Sequence, residues 1–410
     1  MRSYHRAVSD GEHLVLKFGR EEIERLINQE LHQSALSVGV AVIAELIEEE
    51  VRTLCGNHRE RDKERRAHRY GHQRGYVVVG GQKVAIAKPR VRGVNGGHEV
   101  RLRLYERLQR RDVIDERVMH RLLYGVSCRN YRSVIDTIQA SVGVSRSSVS
   151  RSFVRSTEQR LREFTQRRFD GVRFVAIAID GVRFKGHTLI VAMGVDDRGC
   201  KRVLAVRQGA TENARVCCDM LEELRDHGVC SDAATLFILD GSKALRAAVD
   251  RVWGSAAVVQ RCRLHKIRNV RAYVPDQLWP EVHKRLRDAY AEPDYAKAKR
   301  HLETTARWLD RLAPAATRSL REGLDDTLTI TRLALPRPLR RSLMSTNIVE
   351  SPFGRLRSTA RRVTRWRGDM RIRWCVAGLL EAERTFNRIG GADLIAKLID
   401  AVDRSKETAA

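Results

Sequence analysis

Residues 174–181 read FVAIAIDG, an unbroken apolar run that ends in an aspartate and a glycine. A second run of the same kind, LFILDG, occupies residues 236–241. Short continuous apolar runs bounded by turn-forming residues are typical of strands that are buried in a sheet. The two runs therefore predict two buried strands, each ending in a carboxylate, at Asp180 and Asp240.

Further strand and helix patterns surround these two runs. Five strands are predicted, at residues 172–179, 189–195, 202–207, 235–239 and 256–260. Helices are predicted between the third and fourth strands and between the fourth and fifth, at residues 214–224 and 244–253. Three meandering strands followed by α-β-α-β give a mixed α/β fold in the order of a ribonuclease-H-like core. In that order the first and fourth strands are neighbours, so we expect Asp180 and Asp240 to lie side by side.

Carboxylates that converge in this way have a chemical use. A third candidate is Glu350, which opens an arginine-rich helical stretch. Neighbouring carboxylates repel one another unless a divalent cation neutralises them, and Mg²⁺ prefers carboxylate oxygens and water. Two such ions can assist an in-line displacement at phosphorus. A single aspartate at a strand end is more often a turn former or helix cap, but two on adjacent strands favour metal binding.

The charge of the chain indicates the kind of partner. The 410 residues include 77 Lys and Arg against 51 Asp and Glu, a formal net charge of +26. This excess favours a polyanion, here double-stranded DNA; the alternative is a soluble protein with an unusually basic surface. No apolar segment reaches the ~18 residues of a membrane span, and residues 1–21 lack the apolar stretch of a signal peptide. We expect a cytoplasmic, nucleoid-associated protein with no membrane partner.

A helix-turn-helix pattern precedes the predicted sheet. Residues 131–139 predict one helix, Gly143 a turn, and the stretch from Ser145 a second helix. The side chains of the second helix that are expected to contact base edges and phosphates are Arg146, Ser148 and Arg151. Many helix pairs with a glycine turn never contact DNA, but the basic character of this chain favours DNA binding.

Two patterns lie nearer the N-terminus. Residues 31–54 have apolar side chains at helical spacing and predict an amphipathic helix that packs or dimerises. Residues 59–110 are basic and glycine-rich with short β-prone runs. These runs predict a small sheet with a basic face, or else a solvated loop region.

Four short blocks resemble the signature sequences of one family. They are AIDG at residues 178–181, FILDG at residues 237–241, QRCRLH at residues 260–265 and STNIVE at residues 345–350. With these blocks in this order, and over roughly residues 70–390, the chain resembles the Mutator-type bacterial insertion-sequence transposases. Any one block is weak, but the set is specific.

The resemblance implies an Asp-Asp-Glu transposase with a ribonuclease-H-like core. Asp180, Asp240 and Glu350 would then be the catalytic residues and the ligands of two metal ions, Mg²⁺ or Mn²⁺. It also implies binding to terminal inverted repeats and target DNA, and action as a homo-oligomer. Such enzymes place a mostly helical insertion before the last acid, and residues 275–336 have helical periodicity.

The third acid and the reaction both have alternatives. Pro352 either sits in the first turn of the helix that Glu350 opens or delays its start. The other acids considered for the third position are Glu303, Glu322, Asp325 and Asp326. The alternatives to strand transfer are a metal-dependent nuclease or resolvase and a non-catalytic helix-turn-helix regulator. The intact Asp, Asp and Glu argue against the regulator.

Three polar residues lie close to the signature blocks. Cys262 and His265 have the spacing of metal ligands, but a structural zinc site needs four ligands, and the adjacent Cys217 and Cys218 are unsuited as a second pair. We therefore expect no zinc. By the resemblance, His265 orders DNA or the wall of the active site; the alternative is a buried cysteine with a satisfied histidine at a helix start. Asn347 either positions substrate or caps its helix.

An arginine-rich segment follows Glu350. Residues 355–373 contain no lysine and a single acid, Asp369. Guanidinium groups bind phosphate bidentately, and interleaved tryptophans, Trp366 and Trp374, can stack on unpaired bases. The residues of this segment expected to contact DNA are Arg355, Arg357, Arg361, Arg362, Arg365 and Trp366.

These patterns divide the chain into seven predicted segments. An N-terminal helical region (1–56), a small basic β-containing region (57–115) and a helix-turn-helix region (116–168) come first. The ribonuclease-H-like core then begins (169–272), is interrupted by the helical insertion (273–342), and resumes with the Glu350 helix and the arginine-rich segment (343–390). Residues 391–410 form a C-terminal tail.

Overall fold

The computed structural model describes most of the chain, with gaps near the N-terminus and in the arginine-rich segment. The described residues are 8–10, 13–15, 31–57, 65–79, 82–94, 97–109, 122–123, 146–360, 363, 366 and 368–409. The predicted helix at residues 131–139 lies outside them. The chain divides into two compact units, Met1–Ser156 and Thr157–Ala410.

The first unit contains a long helix and a β-hairpin. Its elements are β1 (Val8–Asp10), β2 (His13–Val15), α1 (Leu31–Cys55), β3 (Ala67–Val79), β4 (Gln82–Gly93) and α2 (Arg103–Leu108). The apolar face of α1 packs on the hairpin through Ile47 and Val51, which meet Val77 and Val84. The helix at residues 31–54 and the small sheet are thus confirmed. The helix α3 (Arg146–Thr165) begins where the second helix of the helix-turn-helix pattern was predicted.

A five-stranded mixed sheet forms the centre of the second unit. Its strands are β5 (Phe174–Phe184), β6 (His187–Asp196), β7 (Lys201–Gln208), β8 (Thr235–Leu239) and β9 (Ala257–Arg261). Their order across the sheet is β7-β6-β5-β8-β9. The first three strands are antiparallel, whereas β8 runs parallel to both β5 and β9. The five predicted strands and the adjacency of the first and fourth are confirmed.

One strand boundary was predicted wrongly. Asp180 and Gly181 form no turn, because β5 continues through them to Phe184 and pairs them with Val191 and Ile190 of β6. The alternating pattern after the glycine explains the continuation, since Val182 and Phe184 are buried while the intervening Arg183 is exposed. Asp180 therefore lies inside a strand, at the level where the neighbouring strand β8 ends.

Helices cover the sheet and fill the segment before Glu350. Those between the strands are α4 (Ala214–Asp226) and α5 (Lys243–Trp253); α6 (Arg263–Arg271) follows β9. Those of the predicted helical segment are α7 (Trp279–Ala291), α8 (Tyr295–Asp310), α9 (Pro314–Arg321), α10 (Leu324–Thr327), α11 (Thr329–Arg332) and α12 (Arg337–Leu343). The last are α13 (Asn347–Ala360), α14 (Met370–Glu383) and α15 (Ile395–Ala409).

Local sequence explains where several of these helices start. Asn213 and Ser242 cap α4 and α5 by accepting hydrogen bonds from the backbone of Val216 and Leu245. Helices α7, α9 and α12 each have a proline in the first turn, where its missing N–H costs no hydrogen bond. In the part of the chain that the structure describes, no helix combines the length and the apolarity needed to cross a membrane.

Candidate active site

Two parallel strands bring the two aspartates to the same level of the sheet. Ile179 on β5 is in register with Leu239, the last residue of β8, and each aspartate is the next residue along the chain. The Asp180 side chain is 2% exposed, so water solvates this carboxyl poorly. This juxtaposition follows from strand order and could be derived from the sequence.

The structure gathers Asp180, His265 and Glu350 into one group. Their ligand atoms, carboxylate oxygens and an imidazole nitrogen, all lie within 4.8 Å of one another. His265 is in the first turn of α6, and Glu350 is in the first turn of α13. Pro352 neither delays that helix nor lies in its first turn, because α13 begins at Asn347 and contains the proline in its interior.

Backbone hydrogen bonds hold the starts of the two helices against the sheet. The Cys262 amide donates to the carbonyl of Leu239 at 2.7 Å, which ties the beginning of α6 to the end of β8. The next amide, that of Arg263, donates to the carbonyl of Met344 at 3.0 Å. The segment that leads into α13 is thereby fixed beside α6, and this arrangement sets the position of Glu350.

Thr346 links several members of the group. Its amide donates to Sγ of Cys262 at 3.4 Å, and its hydroxyl lies 3.6 Å from that sulfur and 3.5 Å from Nδ1 of His265. Thr346 also lowers the pKa of Asp180 by favouring its ionised form. Thr346 is 1% exposed, so these contacts are shielded from water. Sequence reasoning did not single out Thr346, although it belongs to the STNIVE block.

The protonation of the group follows from its burial and charges. Burial, with the charges of Asp240 and Glu350, raises the pKa of Asp180 to about 6, against the lowering effects of His265 and the Thr346 hydroxyl. The hydrogen bond with Cys262, with the charges of Asp180 and Asp240, raises the pKa of His265 to about 9, although burial opposes this. Near neutral pH, His265 is therefore a cation between acids.

The Cys262 thiol is the other half of this pair. Burial disfavours its ionised form, but the hydrogen bond and charge of His265 lower its pKa below the usual value. Cys262 is 1% exposed, and its sulfur is in contact with Thr346. A buried cysteine and a histidine at a helix start match one of the two sequence interpretations, and the proximity of His265 to the acids matches the other.

Glu350 has two cationic neighbours. Arg268, one helical turn after His265, donates from its guanidinium to Oε1 of Glu350 at 3.0 Å. Nε2 of His265 lies 3.9 Å from the same oxygen. The Arg268 and Glu350 side chains are 58% and 31% exposed, so solvent screens this ion pair. Arg268 was not identified from the sequence, where its only signal is its position one turn beyond His265.

Asp240 has different partners. Its Oδ2 accepts a hydrogen bond from the Thr211 hydroxyl at 2.8 Å, and its Oδ1 accepts one from the Ser242 amide at 2.9 Å. Among the described residues, Asp240 is not a member of the group that the other two acids form with His265. Its charge nevertheless raises the pKa of Asp180. The three acids share one region, but only two of them are drawn together with the histidine.

The other acids considered for the third position are engaged elsewhere. Glu322 forms ion pairs with Arg261 and with the buried Lys266. Asp325 pairs with Lys299, and Asp326 pairs with Arg246. Glu303 is exposed on α8. The structure thus places Glu350, and none of these four, beside Asp180.

The residues predicted to contact DNA are distributed unevenly. Arg151 is exposed on α3, and the exposed Arg357 on α13 donates to the carbonyl of Arg183 at 3.4 Å. Trp366 is half-buried, with its ring 5.5 Å from that of Phe184, and Trp374 is 4% exposed. The structure describes only the backbone at Arg146, Ser148 and Arg355, and Arg361, Arg362 and Arg365 lie outside the described residues.

The fold and the site define a mixed α/β protein in which a buried aspartate and a half-buried glutamate lie beside a histidine, close to where the parallel strand β8 ends. The family model described as "Transposase, Mutator family" matches residues 14–380. The chain belongs to the Mutator family of transposases, as its signature blocks had indicated.

Curated relatives agree with this assignment. The chain is 28% identical over 322 residues to the transposase for insertion sequence element ISRM5 of Rhizobium meliloti, an alignment that covers 75% of this chain and 77% of that relative. It is 28% identical over 332 residues to the transposase for insertion sequence element IS1081 of Mycobacterium tuberculosis, with 78% and 77% of the two chains covered.

Proposed function

We propose that this transposase binds the terminal inverted repeats of its insertion sequence and catalyses metal-dependent DNA strand cleavage and strand transfer. The observation that carries the proposal is that Asp180 and Glu350 lie together beside the end of β8. Asp240 is the residue that directly follows that strand. In a protein of the transposase family, clustered acids are best explained by phosphodiester chemistry.

The strand order supports a ribonuclease-H-like core. Three antiparallel strands are followed by two parallel strands that are joined through helices, in the order β7-β6-β5-β8-β9. We assign the first aspartate, the second aspartate and the glutamate of the catalytic set to Asp180, Asp240 and Glu350. The long helical segment from α7 to α12 then corresponds to the insertion before the last acid.

The donor set fits hard divalent cations. The carboxylates of Asp180, Asp240 and Glu350 offer oxygen ligands of the kind that Mg²⁺ and Mn²⁺ prefer, and burial leaves Asp180 in need of a counter-charge. Three of the four side chains in this region are carboxylates, the ligand type that hard divalent cations prefer. Two bound ions would activate the attacking oxygen and stabilise the leaving one.

The chain's own residues prepare the site for a DNA strand. Thr346 orients the Asp180 carboxylate, and Arg268 holds that of Glu350 until it is needed as a ligand. Exposed arginines such as Arg357 and Arg151 supply charge for phosphates. We assign DNA binding to residues 116–168 and 355–373, and expect a homo-oligomer that acts at the nucleoid on terminal repeats and target DNA.

A cleavage and strand-transfer assay tests this function. DNA carrying the element's ends is incubated with Mg²⁺ or Mn²⁺ and the wild-type protein, Asp180→Asn, Asp240→Asn or Glu350→Gln. As a control, Asp310→Asn removes an exposed acid at the end of α8. We expect joined products with the wild-type protein and the control, and none with the three site variants.

Other outcomes distinguish the alternatives. Cutting without joining by the wild-type protein identifies a nuclease or resolvase. Binding to the ends without any reaction identifies a regulator. Full activity of Asp180→Asn contradicts the assignment of the site.

A further inference from the structure

A cavity lined by basic residues lies in the second unit, outside the group of acids. It has a volume of about 550 Å³ and is bordered by Lys201, Arg337, Arg341 and Arg388. Asn347 and Ile348, the first residues of α13, form another part of its wall. Among the described residues, no acidic side chain lines it.

The walls of the cavity are held by close backbone packing. The Ser342 hydroxyl donates to the carbonyl of Gly390 at 2.9 Å, which joins α12 to the segment that follows α14. The amide of Ile389 donates to the carbonyl of Gly199 at 2.9 Å. At Gly391, which has a φ of 86°, a side chain would meet the amide of Leu339 at 3.0 Å, so the approach requires glycine. The basic residues therefore line a preformed cavity.

The charge of this cavity is unlike that of the surrounding surface. Elsewhere on the second unit, several exposed arginines pair with acids, as Arg246 does with Asp250 and Arg285 with Glu281. In the cavity, four cations share one space lined by no carboxylate.

The Arg388 guanidinium is positioned by donating to the carbonyl of Arg198 at 2.6 Å. Guanidinium groups such as those of Arg337 and Arg341 bind phosphate through paired N–H donors. A phosphate is the anion that best suits these side chains.

The location of the cavity connects it to the candidate active site. Asn347 lines the cavity, and Glu350 follows it in the first turn of the same helix, a rise of only ~5 Å. The volume is within the range of pockets that hold a whole small molecule, so a phosphate can enter with its sugar. A DNA strand that reaches Glu350 can therefore place another of its phosphates between α12 and Arg388.

We propose that Lys201, Arg337, Arg341 and Arg388 bind a backbone phosphate of the DNA strand that the active site processes. The inference rests on the proposed function, because it takes DNA as the source of the phosphate. The cavity then sets the register of the strand relative to Glu350. It is a second contact, distinct from those predicted in residues 116–168 and 355–373.

The salt dependence of DNA binding tests the proposal. Fluorescence anisotropy measures the affinity of the full-length protein for a labelled duplex carrying the element's end, across a series of salt concentrations. We expect the slope of the logarithm of the association constant against the logarithm of the salt concentration, which is negative, to become shallower by about 1 to 2 in the double variant Arg337→Gln/Arg341→Gln. The same variant should bind ~10-fold more weakly, or weaker still, at ~0.1 M salt. The pair Arg337→Lys/Arg341→Lys retains the charge and should retain the slope.

A matched control removes the same charge from another surface. Arg300 and Arg318 are exposed on α8 and α9 and do not line the cavity, so Arg300→Gln/Arg318→Gln should bind as the wild-type protein does. Calorimetric titrations with inorganic phosphate and with a deoxynucleoside monophosphate test the alternative that the cavity binds a free small phosphate compound instead of DNA.

The outcomes separate this inference from the proposed function. If the wild-type protein binds the duplex and the cavity variants keep its slope and affinity, the inference is wrong and the proposed function stands. The same conclusion holds if inorganic phosphate or the monophosphate binds in a way that depends on Arg337 and Arg341 while DNA binding does not. A wild-type protein that binds no DNA overturns both.

Discussion

Asp180 and Asp240 have nearly the same local sequence, since each follows a run of apolar residues and precedes a glycine, but their environments differ. Asp180 lies inside β5, is almost fully buried, and adjoins His265 and Glu350. Asp240 follows the end of β8 and is tied to Thr211 and Ser242. The comparison shows that a short motif predicts a carboxylate near a sheet edge but does not specify its partners or its protonation.

The residues after each glycine produce the difference. After Gly181, alternating apolar residues extend β5 in its pairing with β6. After Gly241, which has a φ of 104°, Ser242 caps α5, so only three residues separate the end of β8 from the start of that helix. A side chain at Gly241 would also meet Nε of Arg261 at 2.4 Å, so this turn requires glycine. Asp240 thus has two roles: it accepts hydrogen bonds in the turn between β8 and α5, and it supplies a carboxylate next to β5.

The largest expected effect at the two strands concerns activity. Asp180→Asn should lower the rate of strand cleavage by ~10³-fold, about 4 kcal/mol of activation free energy, because it removes a charged member of the acid group. Asp240→Asn should cost as much, because it removes a second carboxylate that we assign to the same metal ions. Single-turnover cleavage rates measure both effects, and equal rates for Asp180→Asn and the wild-type protein would contradict the site.

The next effect is on stability: the substitution Asp180→Asn, which should lower activity, should increase the free energy of unfolding. The pKa of Asp180, about 6 in the fold, is above the ~3.9 of an unfolded chain, so the folded protein binds the proton more tightly. The stability that this proton provides is present below pH ~4 and is lost as pH rises through about 6. Asp180→Asn should therefore raise the free energy of unfolding by up to about 3 kcal/mol at pH 7 and much less at pH 4.

Denaturant titrations between pH 4 and pH 7 measure this change without added divalent ions. Asp240→Asn is the matched control, because Asp240 already has a hydroxyl and an amide as donors. It should show no such gain. A gain for Asp180→Asn that does not grow between pH 4 and pH 6 would show that burial of the charge is not its cause.

A smaller effect is expected at the anchor of Asp240. Thr211→Val keeps the shape of the side chain but removes the donor to Oδ2, which should cost about 1 to 2 kcal/mol of stability. The freed carboxylate should also bind Mn²⁺ with altered affinity, measurable by electron paramagnetic resonance. Thr188→Val, on β6, controls for the change of residue type. If both variants match the wild-type protein, the Thr211 contact has no energetic role.

The smallest effect is expected at Arg268. Because its ion pair with Glu350 is partly exposed, Arg268→Gln should change the free energy of unfolding by less than about 1 kcal/mol. The change should shrink further as salt rises. Thermal unfolding at low and high salt measures it, and a loss of several kcal/mol would show that Arg268 has a structural role instead of offsetting the charge of Glu350.

Much of the sheet could be predicted, because its strands carry their signal locally. The runs ending in Asp180 and Asp240 predicted buried strands, and the order of the elements predicted that the first and fourth are neighbours. The boundary of β5 was missed because Asp-Gly commonly forms a turn, and pairing with β6 overrides that preference. Glu350 was identified through a signature block, since nothing local distinguishes it from other acids on helices.

The sequence by itself indicated the basic charge, the mixed α/β order of the elements, the family and the three candidate acids. Composition, periodicity and short motifs are local properties of the chain, so they can be recognised without a structure. Only the tertiary structure decided that Asp180, His265 and Glu350 meet, that Thr346 contacts His265, and that four basic residues line one cavity. These relations join residues far apart in the chain. They depend on hydrogen bonds such as that from Cys262 to Leu239 and on burial, which no local pattern encodes.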